Sequence, residues 1–257
     1  MRPHLPAAAV LVLGSLVLSG CGSGSGDDGA SPAATGTSGA AGQETVAQGA
    51  SGDPAGNGSG DSAGAPEADT STADSLSVVV NKQNPLQPQD YVPSPLTQVE
   101  GHQLREDAAG ALTEMLSDMR AEGVTVNVTS AYRSYDTQVS TYDHWVQQNG
   151  QEAADRVSAR PGYSEHQTGL AVDLADGTGC DLQECFADTP AAQWAAENAA
   201  DYGFVLRFPE GGEEITGYSY EPWHLRYLGV DQAREFQESE ATTLEEYYGT
   251  GPTPDYP

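Results

Sequence analysis

The chain has 257 residues, with 38 Asp and Glu against 10 Lys and Arg and a formal net charge of −28 at pH 7. Nucleic acid is excluded as a partner, because phosphate recognition selects a basic surface, and the excess reads as a solvated acidic face. Only eight of the acids fall in residues 1–74, so the remainder stays strongly acidic without them, and it carries the single lysine, Lys82.

In chain order, residues 1–20 read as an export signal: Arg2 near the start, an apolar run from Ala7 to Leu18 too short to span a bilayer, then small residues. Leu18-Ser19-Gly20-Cys21 resembles the lipobox of bacterial lipoproteins. That resemblance implies lipidation of Cys21, a membrane anchor, and placement on the outer face of the bacterial cytoplasmic membrane in the cell-wall space. A plain secretory signal with an incidental cysteine is the alternative. Residues 21–74 are almost entirely Gly, Ala, Ser, Thr, Asp and Pro. They bury too little apolar surface to offset ordering entropy and read as a disordered tether. The expected domain covers 75–244, with an acidic tail over 245–257.

Within that domain, Leu112, Met115, Leu116 and Met119 recur at helical spacing before Gly123, a natural stop. Val124, Val126 and Val128 then alternate with polar residues, predicting a strand with one buried face. Asp136 or Thr137 is the expected cap of a helix carrying Val139, Tyr142 and Val146 on one side. A short helix follows over 152–157. Thr189-Pro190 predicts a capped helix with Trp194 inward and Gly203 closing it before the strand "FVLRF". A last helix begins near Asp231. Helices and short strands mix without a βαβ rhythm, so the fold class is α+β: one domain with a small antiparallel sheet flanked by helices.

Three cysteines are present; with Cys21 set aside, Cys180 and Cys185 in "GCDLQECF" favour a disulfide in an exported protein. A metal site at that pair is the weaker alternative, since no histidine lies nearby.

The chemistry concentrates in "YSEHQTGLAVDLAD", residues 163–176. In one uninterrupted strand, His166 and Asp173 would face opposite sides. A turn at Thr168-Gly169 lets them converge, with Leu170, Val172 and Leu174 as the apolar face of a half-buried strand and Asp173 on the other. "YEPWHLRYLG", residues 220–229, places Glu221 and His224 three apart, so one turn can present both. Two histidines and an aspartate leave a fourth position for water, the pattern of catalytic zinc, and a neighbouring glutamate can take that water's proton. Read singly, His166 and His224 are satisfied structural histidines and Asp173 a cap; the spacing and order together favour the site. His102 and His144 have no such context and read as structural or exposed.

These stretches, with "VVVNKQNPLQPQDYVP" and "SAYRSYDTQ", resemble the VanY-type D-alanyl-D-alanine carboxypeptidases, zinc peptidases with a hedgehog-like fold that trim peptidoglycan stem peptides. The resemblance implies His166, Asp173 and His224 as Zn2+ ligands, Glu221 as catalytic base, and Arg133, Gln138 and Ser164 as residues that hold substrate. Arg133 suits recognition of a terminal carboxylate or polarisation of a scissile carbonyl through directed, charge-assisted hydrogen bonds. A surface ion pair is its plainer reading. The implied reaction is release of a terminal D-alanine by a monomer. L,D-carboxypeptidase and endopeptidase action within the same family are alternatives, and a non-catalytic cell-wall binding module is a third.

Overall fold

The structure, a computed structural model, describes residues 68–257. The export signal, Cys21 and most of the expected tether lie outside these residues. The chain first forms a hairpin, β1 (Leu96–Val99) and β2 (His102–Arg105). Glu100 and Gly101 both take positive φ between the two strands, as a two-residue hairpin turn demands. Helix α1 (Glu106–Ala121) buries Leu112, Met115, Leu116 and Met119, as their spacing predicts, and the chain leaves it at Gly123 with φ 83°.

Strand β3 (Asn127–Ser130) is shorter than the valine alternation suggests, although Val126 and Val128 are buried. Helix α2 (Tyr135–Asn149) starts earlier than expected: Ser134 is the cap, its Oγ accepting from the Thr137 amide at 3.2 Å. The only fully buried side chain of α2 is Gln138, so this helix borders a surface. Helix α3 (Gln151–Val157) follows directly.

Strand β4 (Ala171–Ala175) is buried along its whole length, which corrects the half-buried expectation. It lies second in the antiparallel order β3-β4-β6-β5, with neighbours on both edges. One face, with Val172 and Leu174, joins α1 in the main core, and the other carries Asp173. Helix α4 (Pro190–Asn198) is capped by Thr189, with Trp194 buried and its Nε1 donating to Glu122 at 3.0 Å. Strand β5 (Phe204–Leu206) and helix α6 (Val230–Glu238) fall where the sequence places them, and the short α5 (Glu213–Thr216) and strand β6 (His224–Tyr227), which it did not predict, lie between them.

Both edges of the expected domain move outward. Ala73, assigned to the tether, is buried with Val78, Val80 and Leu86. The segment expected as an acidic tail instead packs into the domain. Helix α7 (Leu244–Tyr247) carries Glu245, with no exposed surface, and Lys82 donates to the Pro254 carbonyl at 3.0 Å. The tail's acidity concealed this, because Glu245 is buried against a cation that only the fold supplies. Among the described residues, no helix is long and apolar enough to cross a membrane.

Candidate metal centre and its cleft

His166 sits in a 3-10 turn, Glu165–Thr168, that ends at Gly169 with φ 71°. A Cβ at Gly169 would come within 3.1 Å of the Arg105 amide nitrogen, so both backbone angle and space require glycine. The turn reverses the chain as Thr168-Gly169 suggests, and Asp173 comes back beside His166. The register then pairs Asp173 directly with His224 across β4 and β6, so their side chains share a face.

His166 Nε2 lies 3.2 Å from Asp173 Oδ2, and His224 Nδ1 lies 3.1 Å from Asp173 Oδ1. The Ala131 carbonyl, 2.7 Å from His166 Nδ1, can only accept, so Nδ1 carries the proton and Nε2 turns its lone pair to the site. Ligand atoms of His166, Asp173 and His224 fall within 4.8 Å of one another, and all three residues are buried. Despite its closeness to His224, Asp173 Oδ1 has no aligned hydrogen-bond partner, and neither has His224 Nε2. A buried carboxylate oxygen left unmatched beside the ring nitrogens His166 Nε2 and His224 Nδ1 fits a dication better than any protein donor. Two imidazoles and one carboxylate are a donor set suited to zinc.

Glu221 and His224 occupy one turn, closed by the His224 amide donating to the Glu221 carbonyl at 3.1 Å. This places Glu221 Oε2 3.5 Å from His224 Nδ1. Burial pushes the Glu221 carboxyl up to about 7, with Asp173 adding to the effect and His224 opposing it. Burial works against protonation of His224, but the carboxylates of Asp173 and Glu165 raise it to about 9. For Asp173, burial likewise opposes charge, yet the flanking imidazoles hold its carboxyl well below the usual range.

Arg133 and Ser164 line the same cleft of about 640 Å³, together with His166, Asp173, Glu221 and His224. Gln138 does not line it: the structure places this residue behind Arg133, not against a substrate. Its Oε1 accepts from Arg133 Nη1 at 3.0 Å, and its Nε2 donates to the Ala159 carbonyl at 2.6 Å. Ser130 Oγ accepts from Nη2 at 2.8 Å, so the guanidinium is held from two sides. Cys180 and Cys185 form the disulfide, and the loop they close supplies one wall of the cleft.

Sequence reasoning missed the layer beneath the site. Glu165 Oε1 accepts from Arg207 Nε at 2.8 Å and Arg226 Nη1 at 2.7 Å. Arg207 also makes a two-pronged pair with Glu245, at 2.9 and 2.7 Å. Glu165 Oε2 stands 3.7 Å from His224 Nε2, on the side of the ring away from Asp173. The signal was present in "FVLRF" and "WHLRYL", where an arginine interrupts each apolar strand and so demands a buried counterion.

The fold and site together define a hydrolase-type centre for a divalent cation, with a carboxylate base beside it. The chain belongs to the VanY D-alanyl-D-alanine carboxypeptidase family, whose model matches residues 101–230. A putative carboxypeptidase of Bacillus subtilis (strain 168), YodJ, is 40% identical over 186 residues, covering 68% of this chain and 67% of the relative. The structure of the LD-carboxypeptidase LdcB superposes with a TM-score of 0.63 at 39% identity, over 69% of this chain and 87% of that one. A variant of the vancomycin resistance D,D-pentapeptidase VanY in complex with Zn(II) gives 0.58 at 34% identity, over 67% and 98%.

Proposed function

We propose that the protein is a zinc carboxypeptidase that removes the terminal D-alanine from peptidoglycan stem peptides. The observation that carries this is the placement of Glu221: a largely buried carboxylate with a raised pKa, 3.5 Å from a candidate ligand nitrogen, in the cleft that Arg133 lines. His166 through Nε2, Asp173, and His224 through Nδ1 would hold the metal. A zinc ion there supplies Lewis acidity, polarising a carbonyl oxygen and acidifying water.

The chain's own residues do the rest. Glu221 takes the proton of the attacking water and returns it to the leaving amine, a role its place beside the candidate ligands allows. Arg133, held by Gln138 and Ser130, offers a fixed guanidinium to the substrate's carboxylate or carbonyl oxygen without reorganising. Glu165 faces the Nε2 side of His224 and orients the ring. A cell-wall binding module would have no use for the base.

Two specificities share this geometry. Removal from a D-Ala-D-Ala end is the first reading, and the family supports it. Removal across an L,D bond is the second, favoured by the likeness to LdcB. Incubating the zinc-loaded chain with pentapeptide and tetrapeptide muropeptides, with and without chelator, separates them by mass spectrometry. Chelator-sensitive loss of alanine from the pentapeptide supports the D,D reading, and loss from the tetrapeptide the L,D reading. Zinc binding with neither peptide changed counts against both.

The expected export signal and Cys21 support a site of action on the outer face of the cytoplasmic membrane. Cys21→Ser is expected to release the protein into the medium of a producing bacterium, and retention with the membrane fraction would refute the anchor.

A further inference from the structure

Four large apolar side chains stand exposed among the described residues: Val92, Trp145, Val157 and Leu182. Three of them, Trp145, Val157 and Leu182, line the cleft that holds the candidate metal centre. They come from three separate elements: α2, the end of α3, and the loop closed by Cys180 and Cys185. Leu182 takes φ 55°, a left-handed conformation that a branched apolar residue rarely adopts. The loop therefore holds a costly side chain at the cleft mouth instead of turning a glycine there.

Helix α2 connects this rim to the reacting end. Gln138, Thr141 and Trp145 follow one another at helical spacing on one face; Gln138 fixes Arg133, and Thr141 and Trp145 line the cleft. Two turns of helix separate Gln138 from Trp145, about 10 Å. An extended peptide advances roughly 3.3 Å per residue, so the rim stands beside substrate two to three residues upstream of whatever Arg133 holds.

We infer that Trp145, Val157 and Leu182 form an upstream subsite that grips an aliphatic side chain of the stem peptide. The inference rests on the functional reading above and deepens it: a side chain upstream of the scissile bond contributes to recognition. Continuity of the rim with the catalytic cleft names the occupant, since these side chains line the same cleft as Arg133 and the candidate metal centre.

The test measures binding and needs no turnover. Full-length, zinc-loaded protein carrying Glu221→Gln is titrated calorimetrically with stem pentapeptides that differ only at the residue two before the C-terminus, lysine or glycine. The lysine peptides are expected to bind about tenfold more tightly, about 1.4 kcal/mol. Adding Trp145→Ala or Leu182→Gly should erase that preference while affinity for the glycine peptides stays unchanged. Both sites are exposed, and glycine accepts the Leu182 backbone angle, so folding is retained. Equal affinity for the two peptides, or a preference that survives both substitutions, overturns the subsite and leaves the carboxypeptidase reading standing. Failure of every peptide to bind, in a protein whose unsubstituted form hydrolyses none, overturns both.

Discussion

Two clusters of charged side chains meet at His224, one on each side of its ring. On the Nε2 side, Arg207 and Arg226 face Glu165 and Glu245 with no exposed surface on either arginine. Nearly every donor there has a partner: Arg226 also reaches the Leu76 and Val78 carbonyls, and Asn81 donates to Glu245 at 3.0 Å. On the Nδ1 side, Asp173, His166 and Glu221 crowd acceptors together with too few donors. Two opposite charges on each side of an ion pair need nothing further, whereas convergent lone pairs in a buried site need a cation. The lower cluster holds the ring and the upper one uses it.

The largest expected effect falls on the upper cluster. Glu221→Gln keeps the shape and every candidate ligand but removes the base, and turnover should fall by about a hundredfold to ten-thousandfold. Zinc content, read by atomic emission on the same sample, should be unchanged. His166→Ala should show the reverse pattern, with zinc lost first; full zinc occupancy in that variant would remove His166 from the ligand set.

The lower cluster should answer in stability. Arg207→Met strips the arginine from Glu245, leaving it the Asn81 amide, and takes one of two arginines from Glu165, so a buried carboxylate loses its counterion. Breaking a buried pair in this way costs about 3–5 kcal/mol. Urea unfolding should show it, and a variant of ordinary stability would mean that water reaches the cluster and solvates the carboxylates.

Acidity separates Glu165 from Glu221 by sign. Burial works against ionisation of Glu165, but Arg207 and Arg226 more than offset it and hold its carboxyl well below the usual range. The unfolded chain binds this proton near 4.5, so the stability Glu165 contributes is present above that pH and is lost as pH falls below it. Glu221 runs the other way. Folded and metal-free, it keeps its proton up to about 7, while the unfolded chain releases it near 4.5. Stability of the chelated protein should therefore decline as pH rises between those values. Thermal melts of chelated protein across pH 3–8 should show both limbs, and Glu221→Gln should flatten only the neutral one. An unchanged neutral limb in that variant would assign it to another group.

How far the sequence reveals this contrast depends on whether the partner is near in the chain. His166, Asp173, Glu221 and His224 were legible because a turn residue and a three-residue spacing say locally how they meet. Helix α1 was legible for the same reason, its apolar stripe being a local pattern. Gln138 was misplaced because its side chain turns from α2 to Arg133 and the Ala159 carbonyl, behind the cleft, an orientation that spacing does not encode. The burial of β4 on both faces depends on β3 and β6, which arrive from distant parts of the chain. Glu245 was read as part of an acidic tail because its counterion lies 38 residues away in sequence.

The tail nevertheless carried a local mark. Thr243 and Glu246 form a capping box: Thr243 Oγ1 accepts from the Glu246 amide at 3.2 Å, and Glu246 Oε2 accepts from the Thr243 amide at 3.2 Å. A Thr followed three residues later by Glu is the sequence signature of a helix start, and the helix it starts is the one that delivers Glu245 to Arg207. Thr243→Ala should cost about 1 kcal/mol. In a domain of this size that lowers the melting temperature by roughly 2–4 °C. Because α7 is only one turn long, the cap should matter through Glu245 more than through helix propensity. The cost of Thr243→Ala should therefore shrink in an Arg207→Met background, where Glu245 has lost its partner. Equal costs in both backgrounds would mean that the cap stabilises α7 for its own sake and that Glu245 finds its place without it.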